Sequence, residues 1–530
     1  ELGEGPDAGL PKEAVEALRL GPADVSDSYL LAKTFYDIGE YQRAASALDG
    51  GVAGTANALA GLSCEEVFIK AYSLFLAGEK IKEQEILEIN DPLERSSVEN
   101  PNIRKLSKDL TELYHAARLD GFGLYMYAVV LRELAGSSGV LNVHRLSPFS
   151  VLCEAVVAFP WNWSAWLDLA TIVVQEQRDI PEDMPLPKSA QWIHHFFVVH
   201  CFIELGSQHH CETALELLHD LEATFPQSNY LLGQLGLANY NLRKFQAAEE
   251  NFEELRHRDP YRLDNMDTYS NILYVKESKA ALSHLAHVAM KNDKYRPETC
   301  CIVGNYYSLK SQHERAVLYF QRALKLNRKF LAAWTLMGHE FVEMKNTGAA
   351  IEAYRRGVDV NPRDYRAWYG LGQTYEILTM FHYALFYYRK AVKLRPTDAR
   401  MWCALGNCYK LLERYEEAIA CFERAARHHD QEGIALIELA RLYQDRHRRE
   451  HAAESYRAFL SSRDGDFDKA PGDAGVAEAL EFLVEFHRAN GELALAAKYC
   501  SRMLECGGAK EEWAKEQLKL LQGEHAAAAL

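Results

Sequence analysis

The chain has 530 residues, 48% of them hydrophobic, and a formal net charge of -16 at pH 7. That balance argues against a general binder of nucleic-acid backbones, for which clustered Lys and Arg are expected, and favours basic peptides or proteins as partners. No run of eighteen apolar residues occurs, so no membrane-spanning helix is expected.

Residues 1–26, rich in Gly, Pro, Ala and acid, read as a flexible lead-in. A helical pair starts at Ser28, with Ala32 and Ala44 at corresponding places in its two helices. An apolar-periodic helix is expected over 65–77 and a charged loop over 90–101. Two helices follow within 106–134, one striped by Leu124, Tyr127, Ala128 and Leu131. Residues 136–148 read as a loop inserted into a repeat. Trp161, Trp163 and Trp166, just after Pro160, are expected to plug the core rather than cage a ligand. The proline-rich 179–187 is a loop.

From Trp192 a 34-residue period sets in, and over 297–430 it is laid down four times. Gly304, Gly338, Gly372 and Gly406 recur at that spacing, with Ala316, Ala350, Ala384 and Ala418 twelve residues beyond each. Cys300, Trp334, Trp368 and Trp402 stand four before each glycine, and Tyr307, Phe341, Tyr375 and Tyr409 three after it. Those offsets share one helical face. Phe320, Tyr354, Tyr388 and Phe422 continue the pattern in the second helix of each unit, and Pro362 and Pro396 stop two of those helices. The period is the signature of the tetratricopeptide repeat, so the expected fold is an all-α, right-handed superhelix of helical pairs, an α-solenoid. Ala440, Tyr443, Ala452 and Tyr456 extend the register, 461–475 inserts a loop, and 511–521 reads as a helix capping the last apolar face. The expected organisation is a lead-in over 1–26, N-terminal repeats over 27–296, a groove-forming set over 297–460, the inserted loop 461–475, and a last repeat with its cap over 476–530.

Eleven cysteines are scattered without a Cys-x-x-Cys pair, several at helix-core positions such as Cys300, Cys408 and Cys421. Reduced, buried thiols of a cytosolic or nuclear protein are the natural reading. No phosphate-binding loop, His-Glu-x-x-His or Gly-x-Ser-x-Gly occurs, and an enzyme reading has no anchor. No catalytic residue, metal ligand or cofactor is therefore expected. The informative positions lie opposite the core stripe of each first helix, where Asn305, His339, Gln373 and Asn407 form a ladder 34 residues apart. Amide side chains there can hold an extended peptide by its backbone, and Glu340 beside His339 can accept an arginine. The same pattern also fits an ordinary solvated helix face.

The residues between the repeat positions narrow the reading. Asp259-Pro260-Tyr261-Arg262, Gly304-Asn305-Tyr306-Tyr307-Ser308-Leu309, Trp334-Thr335-Leu336-Met337-Gly338-His339-Glu340 and the segment 363–376 resemble the family of subunit eight of the anaphase-promoting complex, the cyclosome. The resemblance implies a non-catalytic scaffold subunit of an E3 ubiquitin ligase that controls mitotic progression, acting in nucleus and cytoplasm. Its partners would be other tetratricopeptide, scaffold, cullin-like and RING subunits. Homodimerisation through the N-terminal repeats is implied too, with a groove that receives the arginine-containing C-box of Cdc20/Cdh1-type coactivators. Carried over residue by residue, Asn305 would hold the peptide backbone and Glu340 the arginine, whereas His339, Gln373 and Asn407 rest on the ladder alone. The alternative is a generic tetratricopeptide adaptor or cochaperone. A carboxylate-clamp cochaperone would present Lys and Arg on the ladder, and a repeat-bearing glycosyltransferase would need a nucleotide-sugar domain for which no non-repeat stretch is long enough.

Overall fold

A computed structural model describes residues 26–49, 57, 59–89, 98–138, 146–176, 178–181, 184–428, 430, 433–462, 474–506 and 511–528. Nearly all of the lead-in, most of 90–101 and the greater part of the two expected insertions, 136–148 and 461–475, lie outside those residues. The chain divides into two compact units, 1–251 and 252–530.

In the first unit α1 (Asp27–Ile38), α2 (Tyr41–Ala47), α3 (Cys64–Glu88), α4 (Ile103–His115) and α5 (Gly121–Ser138) are followed by α6 (Pro148–Ala158), α7 (Trp163–Glu176), α8 (Gln191–Leu205), α9 (Gln208–Thr224) and α10 (Asn229–Asn241). Serines open many of them: Ser26, Ser63, Ser147, Ser207 and Ser228 each accept a first-turn N–H, as N-caps do. The helix expected over 65–77 runs on to Glu88. A capping box between Ser63 and Glu66 starts it, and Lys82, paired with Glu133, supports turns that have no apolar stripe. Trp166, Tyr127 and Phe197 are wholly buried, and the Trp166 indole donates to the Pro160 carbonyl at 2.8 Å, so this tryptophan is a core plug.

The division falls within α11 (Phe245–Arg258). Helical pairs then follow as α12 (Met266–Val275) with α13 (Lys279–Asn292), α14 (Pro297–Leu309) with α15 (His313–Leu326), and α16 (Leu331–Glu343) with α17 (Thr347–Val360). Next come α18 (Tyr365–Ile377) with α19 (Phe381–Leu394), α20 (Ala399–Leu411) with α21 (Tyr415–Arg427), and α22 (Ile434–Asp445) with α23 (Arg449–Ser462). The last are α24 (Ala474–Ala489), α25 (Leu493–Cys506) and α26 (Glu511–Ala528), whose Ala514 and Leu521 are buried as a cap requires. The protein is an all-α tetratricopeptide solenoid.

Three devices repeat through the second unit. The first is steric: a Cβ built on Gly304, Gly338, Gly372 or Gly406 would meet the ring of Phe320, Tyr354, Tyr388 or Phe422 at 2.4–2.9 Å. Tyr354 is held from both sides, because a Cβ on Gly370 of the next unit would also lie 2.5 Å from its ring. The second is polar: Trp334, Trp368 and Trp402 donate their indole N–H to the carbonyls of Arg328, Pro362 and Pro396, each six residues back, at 2.7–3.0 Å. The bond needs only a carbonyl, which is why arginine can stand where the other two units have proline.

The third device is the turn between the two helices of a unit. Arg243 near the end of the first unit, and then Glu277, Ser311, Lys345, Thr379, Glu413 and His447 of the second, 34 residues apart, all take a left-handed φ of 53–62°. After α18, the Thr379 N–H bonds the Glu376 carbonyl at 2.8 Å and the Met380 N–H bonds Tyr375 at 2.9 Å, a Schellman cap. The left-handed region costs a residue with a Cβ about 1–2 kcal/mol, and a β-branched threonine suffers most. Thr379→Gly is therefore expected to raise stability by about 0.5–1 kcal/mol after the greater chain entropy of glycine is set against the relief. A urea unfolding midpoint below that of the wild type would contradict this account.

Candidate peptide-binding site

The first helices of successive units, α12, α14, α16, α18 and α20, carry the ladder, but the structure does not treat its rungs alike. Asn305 is only 2% exposed. Its amide nitrogen donates to Ser270 Oγ at 2.8 Å and to Asn271 Oδ1 at 2.7 Å. Asn271 is the same position one unit earlier, so the ladder is real here as an interhelical bond. Glu340 is 5% exposed and also turned inward. Its Oε1 accepts from Ser308 Oγ at 2.7 Å, and its Oε2 lies 2.8 Å from His313 Nδ1. Ser308 in turn lies 3.3 Å from Tyr274 Oη, so one polar chain links α12, α14 and α16 to the start of α15. Both side chains are turned inward: packing against the preceding first helix buries them, Ser270 and Asn271 accept from the Asn305 amide, and Ser308 and His313 lie against the Glu340 carboxylate.

His339 and Gln373 are exposed and Asn407 is half-buried. His339 Nδ1 lies 2.7 Å from Tyr354 Oη. Although its ring meets solvent, the surrounding protein and the Arg366 guanidinium push its pKa down to about 4. It is neutral near pH 7, and Nδ1 can then accept the tyrosine proton. Arg366 acts more widely. Asp267 on α12 is pushed up to about 6, chiefly by burial and further by Glu298 on α14, with Arg366 opposing. One cation on α18 thus acts on side chains of α12 and α16.

Arg366, Asp267, Ser308 and His313 were not visible as site residues in the sequence. Arg366 sits on the second residue of its helix, where the 34-residue comparison meets Ala332 in the preceding unit and Arg400 in the following one, a repeat of only two units at a place remote from the ladder. Ser308 and His313 matter only through Glu340, and nothing in spacing alone pairs them. Among the described residues no group of three or more His, Cys, Asp or Glu is arranged to hold a metal ion, and no helix is long and apolar enough to cross a membrane. What the wall can do is offer hydrogen bonds and charge to a chain laid across it: amides from Gln373 and Asn407, an imidazole from His339, and a carboxylate beneath His313.

Known proteins resemble this chain along most of its length. The sequence profile of anaphase promoting complex subunit 8 / Cdc23 matches residues 10–236, and tetratricopeptide-repeat profiles match 297–330, 335–378, 365–398, 399–429 and 437–510. The chain is 47% identical over 516 residues to anaphase-promoting complex subunit 8 of Arabidopsis thaliana, spanning 97% of this chain and 84% of the relative. It is 41% identical over 539 residues to the subunit 8 of Dictyostelium discoideum, spanning 93% and 86%. The crystal structure of the APC/C hetero-tetramer Cut9-Hcn1 shares the fold, with a TM-score of 0.56 at 17% identity over 96% of this chain and 92% of that one. A chain built from these repeats and matched to these relatives along nearly its whole length belongs to the anaphase-promoting complex subunit 8 / Cdc23 family.

Proposed function

We propose that the protein is a non-catalytic scaffold that holds other subunits of an anaphase-promoting complex in fixed geometry, as part of an E3 ubiquitin ligase acting in nucleus and cytoplasm. Its first-helix wall takes the arginine-containing C-box of a Cdc20/Cdh1-type coactivator. The observation that carries this reading is the buried carboxylate of Glu340, held beneath a single partly exposed histidine, His313, whose side chain is 30% exposed. A carboxylate has about four acceptor sites, and two are used, so a guanidinium can enter by displacing His313. Asn305 supports the backbone of the same peptide through its carbonyl oxygen, while His339, Gln373 and Asn407 line its path. Titrating a labelled C-box peptide against wild type and Glu340→Ala tests the assignment, and equal affinities would sink it.

The N-terminal repeats, 27–296, are proposed to form a homodimer. Multi-angle light scattering of the full chain is expected to give twice the chain mass at micromolar concentration. A strict monomer would refute the dimer without touching the peptide site.

A further inference from the structure

A second feature of the same unit lies away from the first-helix ladder. Between α19, α20 and α21 opens a cleft of about 350 Å³, floored by the buried Val392, Leu405 and Cys421. A small residue leaves room in it. One unit earlier the place of Cys421 is held by Tyr387, whose ring stacks on Tyr375 with centroids 5.2 Å apart and planes 5° from parallel, and lies 5.9 Å from Trp368. The counterparts of those two rings, Tyr409 and Trp402, line the cleft, and no third ring fills the space between them. Burial pushes the Cys421 thiol up to about 11, so the floor is an uncharged, unreactive surface.

The rim is basic in a chain of net charge -16. Arg389, Lys393 and Arg424 are all exposed there. The Arg424 guanidinium lies 4.9 Å from the Trp402 ring centroid, and Arg389 Nε donates to Tyr409 Oη at 3.0 Å. The one acid on the lining, Glu417, is already engaged by Arg414, whose Nε donates to it at 3.0 Å. Among the described residues no carboxylate forms an ion pair with Arg389, Lys393 or Arg424. The corresponding place in the following unit carries Glu423 where this one has Arg389, so the positive rim is not a general property of the repeat.

We propose that this cleft docks an acidic linear segment of a partner protein, anchored by one aromatic side chain. The anchor takes the place that Tyr387 fills one unit earlier, between Tyr409 and Trp402, and carboxylates on either side of it meet Arg389, Lys393 and Arg424. Both halves of the recognition are needed: the cations alone would hold any anion weakly, and the apolar floor alone would not select among hydrophobic segments. The site is separate from the wall of Asn305 and Glu340 and calls for peptides of opposite charge.

The test uses the full chain and a fluorescein-labelled peptide with one phenylalanine flanked by aspartates, read by fluorescence anisotropy. Saturable binding is expected, weakened about tenfold or more by exchanging the phenylalanine for alanine, and by a similar factor with Arg424→Glu. Cys421→Tyr, which fills the cleft as the preceding unit fills its own, is expected to abolish binding. Because Arg424 and Lys393 are exposed, Arg424→Glu and Lys393→Glu leave the fold intact, and their thermal melting curves should overlay the wild type. No binding to the wild-type chain, or equal binding to the Arg424→Glu and wild-type proteins, would overturn the proposal.

Discussion

Replacing Tyr354 by alanine is expected to destabilise the second unit by about 3–5 kcal/mol, the usual range for deleting a fully buried aromatic ring. The ring is wholly buried, and glycines of two successive first helices, Gly338 and Gly370, approach it on either side. The same clamp predicts a specific coupling. In the wild type, Gly338→Ala places a Cβ 2.5 Å from the ring and should cost about 1–3 kcal/mol through overpacking. In the Tyr354→Ala background the ring is gone, and the substitution should become neutral or stabilising by up to about 1 kcal/mol, since alanine is the better helix former. Because repeats unfold as coupled neighbours rather than as one block, native-state hydrogen exchange along α16 to α18 is the proper readout. Equal costs for Gly338→Ala in both backgrounds would show that the clamp is not what sets this spacing.

Glu340→Ala is expected to weaken binding of the coactivator C-box peptide about tenfold to a hundredfold, since hydrogen bonds to a charged group contribute roughly 1.5–3 kcal/mol. The buried setting sharpens the prediction. Glu340→Gln preserves shape and keeps an oxygen for Ser308, so the loss it causes isolates the charge. His313→Ala acts in the opposite sense. It uncovers Oε2, and peptide affinity should equal or exceed the wild type while the folded protein loses about 1–3 kcal/mol from a buried charged acceptor left short of a donor. A gain for His313→Ala beside a loss for Glu340→Ala is the pattern that an arginine displacing His313 requires. A loss for both would mean that His313 itself contacts the peptide.

How much of this could be read beforehand differs from element to element. The glycine and aromatic partners were legible because small and large side chains recur as chemical identities, and the structure sets Gly304 against Phe320 and Gly406 against Phe422 as that alternation implies. The end of α3 was not legible, because charge pairs rather than an apolar stripe extend it. The turns were hidden more thoroughly. Arg, Glu, Ser, Lys, Thr, Glu and His share no chemistry, and what unites them is a backbone angle. At the candidate site the ladder identified a register without revealing its direction. Asn305 and Gln373 occupy the same place in their repeats, yet Ser270 and Asn271 draw the first inward, whereas no such donor–acceptor pair exists in front of the second. Arg366, whose charge reaches two other first helices, was invisible because it recurs only once, as Arg400, and lies in the first turn of its helix, away from the ladder.

The left-handed turns have a practical consequence. From Glu277 to His447 they supply six solvent-exposed residues, one per unit, with the same local backbone and a constant separation along the chain. None belongs to the polar wall or to the basic cleft. Spin labels or dye pairs attached at these points act as graduations on a ruler. Their mutual distances report stretching or coiling of the stack when a peptide arrives, repeat by repeat, while the surfaces that hold the peptide stay untouched.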